Sequence, residues 1–147
     1  MALLRRVLYL QAAVFALAGL ALAVAPRFLL VNVFAQVALP DYSWVRIVGV
    51  QAVVLAMFMV LVAQRSEEVW WWSWTFLSVA AAVAAVAVLN ALTGPGEELA
   101  TSPVALLTSG RHRSSAVLWW LLAAVNAGFT LGLLWGLGRT GQERPLP

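Results

Sequence analysis

The strongest constraint on this sequence is the length of its uncharged runs. Val7–Ala25 carries no charge over nineteen residues. At a rise of ~1.5 Å per residue, such a helix nearly crosses a hydrocarbon core of about 30 Å. Three more runs follow, Trp44–Gln64, Trp70–Leu92 and Ser115–Gly138, and only Trp44–Gln64 holds a charge in its interior, Arg46. The chain is 63% hydrophobic and 10% charged, against roughly half and about a quarter for a soluble domain. A surface so poor in charge cannot be kept in water. The expected architecture is all-α: an integral membrane, antiparallel four-helix bundle with one or two short interfacial helices. Residues 1–147 form a single transmembrane domain, with spans near 7–25, 44–64, 70–92 and 115–138.

Several chemistries are excluded by residue type. There is no cysteine, so there is no disulfide, thiolate metal site or cysteine nucleophile. The one histidine, His112, lies between Arg111 and Arg113, which leaves no bis-histidine haem and no cluster of metal ligands. All acidic residues (Asp41, Glu67, Glu68, Glu97, Glu98 and Glu143) fall outside the spans. An ion-coupled transporter needs a carboxylate in its path, and none lies at mid-membrane. The nine basic residues are all arginine and are scattered along the chain, unlike the one-sided basic patch of a nucleic-acid binder. No cofactor or metal is expected, and the balance leans against an enzyme.

Read in order, the first span is expected to be a retained helix. Ala23-Val24-Ala25 matches the small-x-small pattern of a cleaved leader, but Pro26 stands directly after the cut. Between Pro26 and Pro40 a short interfacial helix is expected over Arg27–Val37, with Asn32 and Gln36 sharing its polar edge. Asp41 or Ser43 caps span two. Gly49, Ala52, Ala56 and Ala63 make a small-residue stripe along that span, which permits close helix contact. Arg65–Glu68 reads as a brief hydrophilic turn. Trp70, Trp71, Trp72 and Trp74 open span three. With Trp44, Trp119, Trp120 and Trp135 they are expected at the headgroup level as interface anchors. The sharper reading of the tryptophan run is a platform for a flat ligand such as a quinone. A second surface helix is expected at Pro103–Ser109. In span four, Ala124, Gly128, Gly132 and Gly136 recur every four residues and read as a packing groove for a helix of this chain or of a partner.

Arg46 is the candidate ligand or ion-pair residue. Its guanidinium stays charged at any working pH and stands one turn inside span two. Asp41, Glu97 and Glu98 are candidate partners, snorkelling to lipid phosphate is the alternative, and Gln51 is a further polar candidate on the same helix. Arginine placement and the even number of spans put both termini in the cytoplasm; the Arg/Ala/Val/Leu-rich composition points to a GC-rich bacterial genome, and the expected location is a bacterial inner membrane.

Between Pro26 and Ala63 the chain resembles the small four-helix bacterial membrane proteins of the DoxX-like group. The resemblance rests on a first span closed by Pro26, an apolar connector, and Arg46 and Gly49 opening span two. It implies a four-helix membrane fold and a link, seen in some such proteins, to quinone redox chemistry. The residues themselves favour a non-catalytic accessory or scaffold subunit, with membrane lipids and other subunits or a second copy as partners. The alternative is a binding protein for a lipid, a quinone or another apolar small molecule.

Overall fold

The computed structural model describes residues 2–36, 38–93 and 116–143. All regular structure among them is helical: α1 (Ala2–Val24), α2 (Ser43–Gln64), the short α3 (Ser66–Val69), α4 (Ser73–Thr93) and α5 (Val117–Glu143). A π-helical turn at Phe28–Val33 and a 3-10 turn at Trp70–Trp72 complete it. Four segments are long and apolar enough to cross a membrane: Ala2–Val24, Ser43–Gln64, Ser66–Thr93 and Val117–Thr140.

The helix ends differ from the sequence expectation in physically legible ways. α1 begins at Ala2 instead of Val7, because arginine is a good helix former and Arg5 and Arg6 need not end the helix at the edge of the apolar run. The hydrophilic turn expected over Arg65–Glu68 shrinks to Arg65, with φ −106° and ψ 29°. Ser66–Val69 is helical, and Glu67 and Glu68 lie in its first turn, the electropositive end of a helix.

The connector is shorter and more widely wound than the helix expected over Arg27–Val37. Its π-helical turn ends at Phe34, whose amide donates to the carbonyl of Leu29 at 3.1 Å. Ala35 then takes a left-handed φ of 50°. The amide of Gln36 returns to the Leu30 carbonyl at 2.8 Å, closing the end as a left-handed cap does. Gln36 therefore lies past the helix and does not share an edge with Asn32. The helix expected at Pro103–Ser109, together with Glu97, Glu98 and Arg111–Arg113, lies outside the described residues.

The helices pack in two tight pairs, α1 with α2 and α4 with α5, and α1 with α5 links them. At one end of the first pair Arg5 Nη2 donates to Ser66 Oγ at 3.4 Å. Towards the other end the backbones of Gly19 and Gly49 touch, and a Cβ on either would lie 2.6 Å from the other's carbonyl oxygen. The link between the pairs runs through Leu4 beside Gly136 and Val7 beside Gly132. The main core gathers Leu4, Leu8, Met59, Trp70, Phe76, Leu133 and Leu137. It therefore sits where α1 and α4 begin and where α2 and α5 end.

Candidate functional site

Arg46, Asp41 and Gln51 come from the start of α2 and the residues before it, and the structure does not gather them into a pocket. All three are exposed. Asp41 commits its carboxylate to the helix end instead. Its Oδ1 accepts from the Ser43 amide at 3.0 Å and from the Ser43 hydroxyl at 2.8 Å. These bonds, and more weakly the charge of Arg46, hold its pKa below the usual carboxylate value. Gln51 follows Arg46 by five residues and so stands about 140° round the helix from it.

The other polar residues of the spans serve mostly their own helices. Asn126 Nδ2 donates to the Leu122 carbonyl at 2.9 Å, and the Thr130 hydroxyl donates to the Asn126 carbonyl at 2.8 Å. Ser78, Thr93 and Thr140 likewise donate four residues back. This satisfies a hydroxyl without help from a neighbouring helix. Three of these polar residues keep buried polar atoms without a partner among the described residues, and Asn126 is one of them through its Oδ1. Among the described residues, Gln11 is 0% exposed with neither amide atom hydrogen-bonded, and Ser73 is 0% exposed with its Oγ unbonded. Among the described residues no group of three His, Cys, Asp or Glu side chains could hold a metal ion.

The small residues divide by position. Gly49, Ala56 and Ala63 are buried and Ala52 is half-buried, with Gly49 and Ala52 facing Gly19. Of the α5 series, Gly136 and Gly132 lie against α1, whereas a Cβ on Gly128 would meet nothing within 4 Å and Ala124 is exposed. Among the described residues the groove expected along this stripe is thus filled at its C-terminal half only. Trp44, Trp71, Trp72, Trp74, Trp120 and Trp135 are exposed. Trp70 departs from the anchor role and enters the core. Trp119 is half-buried with its Nε1 unpartnered. Trp71 and Trp72 contact each other at 5.3 Å between ring centroids with planes 34° apart.

A groove of about 420 Å³ opens along the α1–α2 seam. Tyr9, Ala12, Ala13 and Ala16 line one wall, and Val53, Ala56, Met57, Val60 and Leu61 line the other. Ala12 and Ala56 are buried, while Tyr9, Met57 and Leu61 are exposed, as is Ala13, so buried methyl groups make the floor and Tyr9, Met57 and Leu61 stand at the rim. Its size falls within the range of small-molecule sites, about 300–1,000 Å³. The α1 half of the groove was not singled out from the sequence, and neither was Gly19. The available signal was the Ala12, Ala16, Gly19, Ala23 spacing, which repeats on α1 the small-residue pattern of α2. Comparison of the chain with protein-family models, curated proteins and solved structures finds no match.

Proposed function

We propose that the chain is an integral membrane protein whose four long helices cross a bacterial inner membrane in alternating directions. Both termini lie in the cytoplasm, and the protein serves as a non-catalytic accessory or scaffold subunit of a membrane complex. The carrying observation is the exposure of large apolar side chains on every long helix, Leu17, Leu20, Ile47, Phe58, Leu89 and Leu131 among them. Only 17–22% of the most apolar stretch of each span is buried within the chain. In water such faces would drive aggregation; in a bilayer they meet lipid or another subunit. The pairings of Arg5 with Ser66 and Gly19 with Gly49 support opposite directions for α1 and α2. The unfilled half of the α5 stripe, at Ala124 and Gly128, supports a further helix as neighbour. Gentle detergent extraction followed by native mass spectrometry tests the reading. A second subunit or a second copy retained with the chain is the expected result, and a bare monomer overturns it.

The α1–α2 groove favours a second reading, a binding protein for a lipid, a quinone or another apolar small molecule. A quinone also fits the resemblance of Pro26–Ala63 to DoxX-like proteins. Organic extraction of the purified protein should then release one compound in near-stoichiometric amount. A mixture matching the bulk membrane lipid counts against it.

A further inference from the structure

We propose that the α1–α2 groove and the arginines beyond its end form one site for an anionic glycerophospholipid, with an acyl chain in the groove and the phosphate on Arg5, Arg6 and Arg65. This rests on the second reading above, that the groove takes an apolar molecule. It adds which one, and how its headgroup is held.

Helix geometry aligns the two parts. Arg6 precedes Ala13, and Arg5 precedes Ala12, by seven residues, so each stands within about 20° of a groove residue and ~10 Å along the axis from it. Just past the end of α2, Arg65 follows the rim residue Leu61 by four residues, and its amide donates to the Leu61 carbonyl at 3.2 Å. The contact of Arg5 Nη2 with Ser66 Oγ at 3.4 Å brings the start of α1 and the end of α2 together, which places these arginines at one end of the groove. All three are exposed. A guanidinium has five N–H donors, so Arg5 keeps most of its own for an anion.

The depth is also suited to a headgroup. Trp71 and Trp72 are exposed just beyond α3, and Trp135 stands under the Arg139 guanidinium, 5.4 Å from its ring centroid. Exposed tryptophans mark the interfacial layer. The end of the molecule that holds the core carries Arg5, Arg6, Arg65 and Arg139 against Glu67, Glu68 and Glu143, a small excess of positive charge, with Arg5, Arg6 and Arg65 the ones beside the groove. Arginine grips phosphate through paired hydrogen bonds, and basic residues next to a span attract anionic lipid. A zwitterionic lipid would bring its own cation towards the arginines. Free phosphate would leave the apolar groove without a role.

The test is native mass spectrometry of the full chain, reconstituted in equal amounts of an anionic and a zwitterionic diacyl phospholipid with the same chains. The wild type should retain the anionic lipid with a preference of about thirtyfold or more, the fold-change that two or three arginines near a lipid surface give at ~1 kcal/mol each. Arg6→Gln with Arg65→Gln should bring the ratio close to one, and Arg6→Lys with Arg65→Lys should keep part of the preference. Ala13→Leu, at an exposed position, should reduce retention of both lipids and leave the ratio unchanged. Excess inorganic phosphate should not displace the lipid, and displacement overturns the proposal. Equal retention of the two lipids by the wild type overturns the headgroup assignment while the groove reading stands; retention of neither overturns both. If the double Gln variant does not fold, single Arg6→Gln decides, and an unchanged preference there overturns the proposal.

Discussion

At the scale of single residues, two polar side chains test how the protein handles polarity at the edge and in the interior of its spans. Asp41 caps the start of α2 from a fully exposed position, and its pKa is lowered chiefly by the Ser43 amide and hydroxyl. A depressed folded pKa means that the contribution is present at neutral pH and is lost as pH falls through the lowered value. Because the group is exposed, the loss should appear as fraying of the first turn of α2 and not as global unfolding. The Ser43 amide resonance should titrate with a midpoint below the ~3.9 of an unstructured aspartate, and Asp41→Asn should abolish that titration. A midpoint at or above the ordinary value would show that the cap does not form. Gln11 presents the opposite case, a fully buried amide with no partner among the described residues. An unmet buried polar group costs about 1–3 kcal/mol. Gln11→Met keeps the side chain near its original size and should raise the denaturation midpoint in detergent by a comparable amount. A lower midpoint would mean that the amide is bonded in the membrane-embedded protein.

At the scale of helices, the four apolar segments were legible because length without charge is a one-dimensional property. Which faces meet was not. The stripe of Ala124, Gly128, Gly132 and Gly136 satisfies the spacing rule along its whole length, yet only Gly132 and Gly136 meet α1. Spacing says that a helix can approach; it does not say how far the crossing extends. The contact of Gly19 with Gly49 required pairing two helices that each looked ordinary, and the left-handed Ala35 carries none of the residue signals, glycine or asparagine, that usually mark such a turn. The same geometry supplies a graded prediction. A Cβ on Gly49 would meet backbone at 2.6 and 2.7 Å, one on Gly136 the Leu4 Cα at 3.2 Å, one on Gly132 the tips of Val7 at 3.3 Å, and one on Gly128 nothing. Backbone cannot step aside as a side-chain tip can. Gly49→Ala should therefore be the most damaging, by the ~1–3 kcal/mol typical of overpacking, with Gly136→Ala and Gly132→Ala milder in that order. Gly128→Ala should be neutral or slightly stabilising through helix propensity. The four unfolding midpoints measured side by side check the order, and a loss at Gly128 as large as at Gly49 would show that another helix already occupies that half of the stripe.

At the scale of the whole molecule, formation of the helices and their packing are separable. In the bilayer proposed for this chain, lipid tails are as apolar as leucine, so the helices would gain little hydrophobic energy from packing and close contact would hold them. The two helix pairs meet around one cluster, in which Leu4, Leu8, Met59 and Leu133 are fully buried. Truncating Leu133 removes atoms that both pairs touch. In a soluble core Leu→Ala costs about 2–5 kcal/mol. Within a bilayer the transfer part of that cost largely vanishes and the unfilled cavity remains, so Leu133→Ala should cost about 1–2 kcal/mol. Leu131→Ala removes the same atoms from a side chain that is 67% exposed and should cost almost nothing. Circular dichroism should show undiminished helix in both variants, because insertion does not depend on the cluster. The denaturant midpoint followed by tryptophan fluorescence should fall for Leu133→Ala alone, since Trp70 lies in the same cluster. Equal midpoints for the two variants would mean that the pairs are not held together there, and a loss of helix in Leu133→Ala would mean that the helices of this protein depend on their packing to form at all.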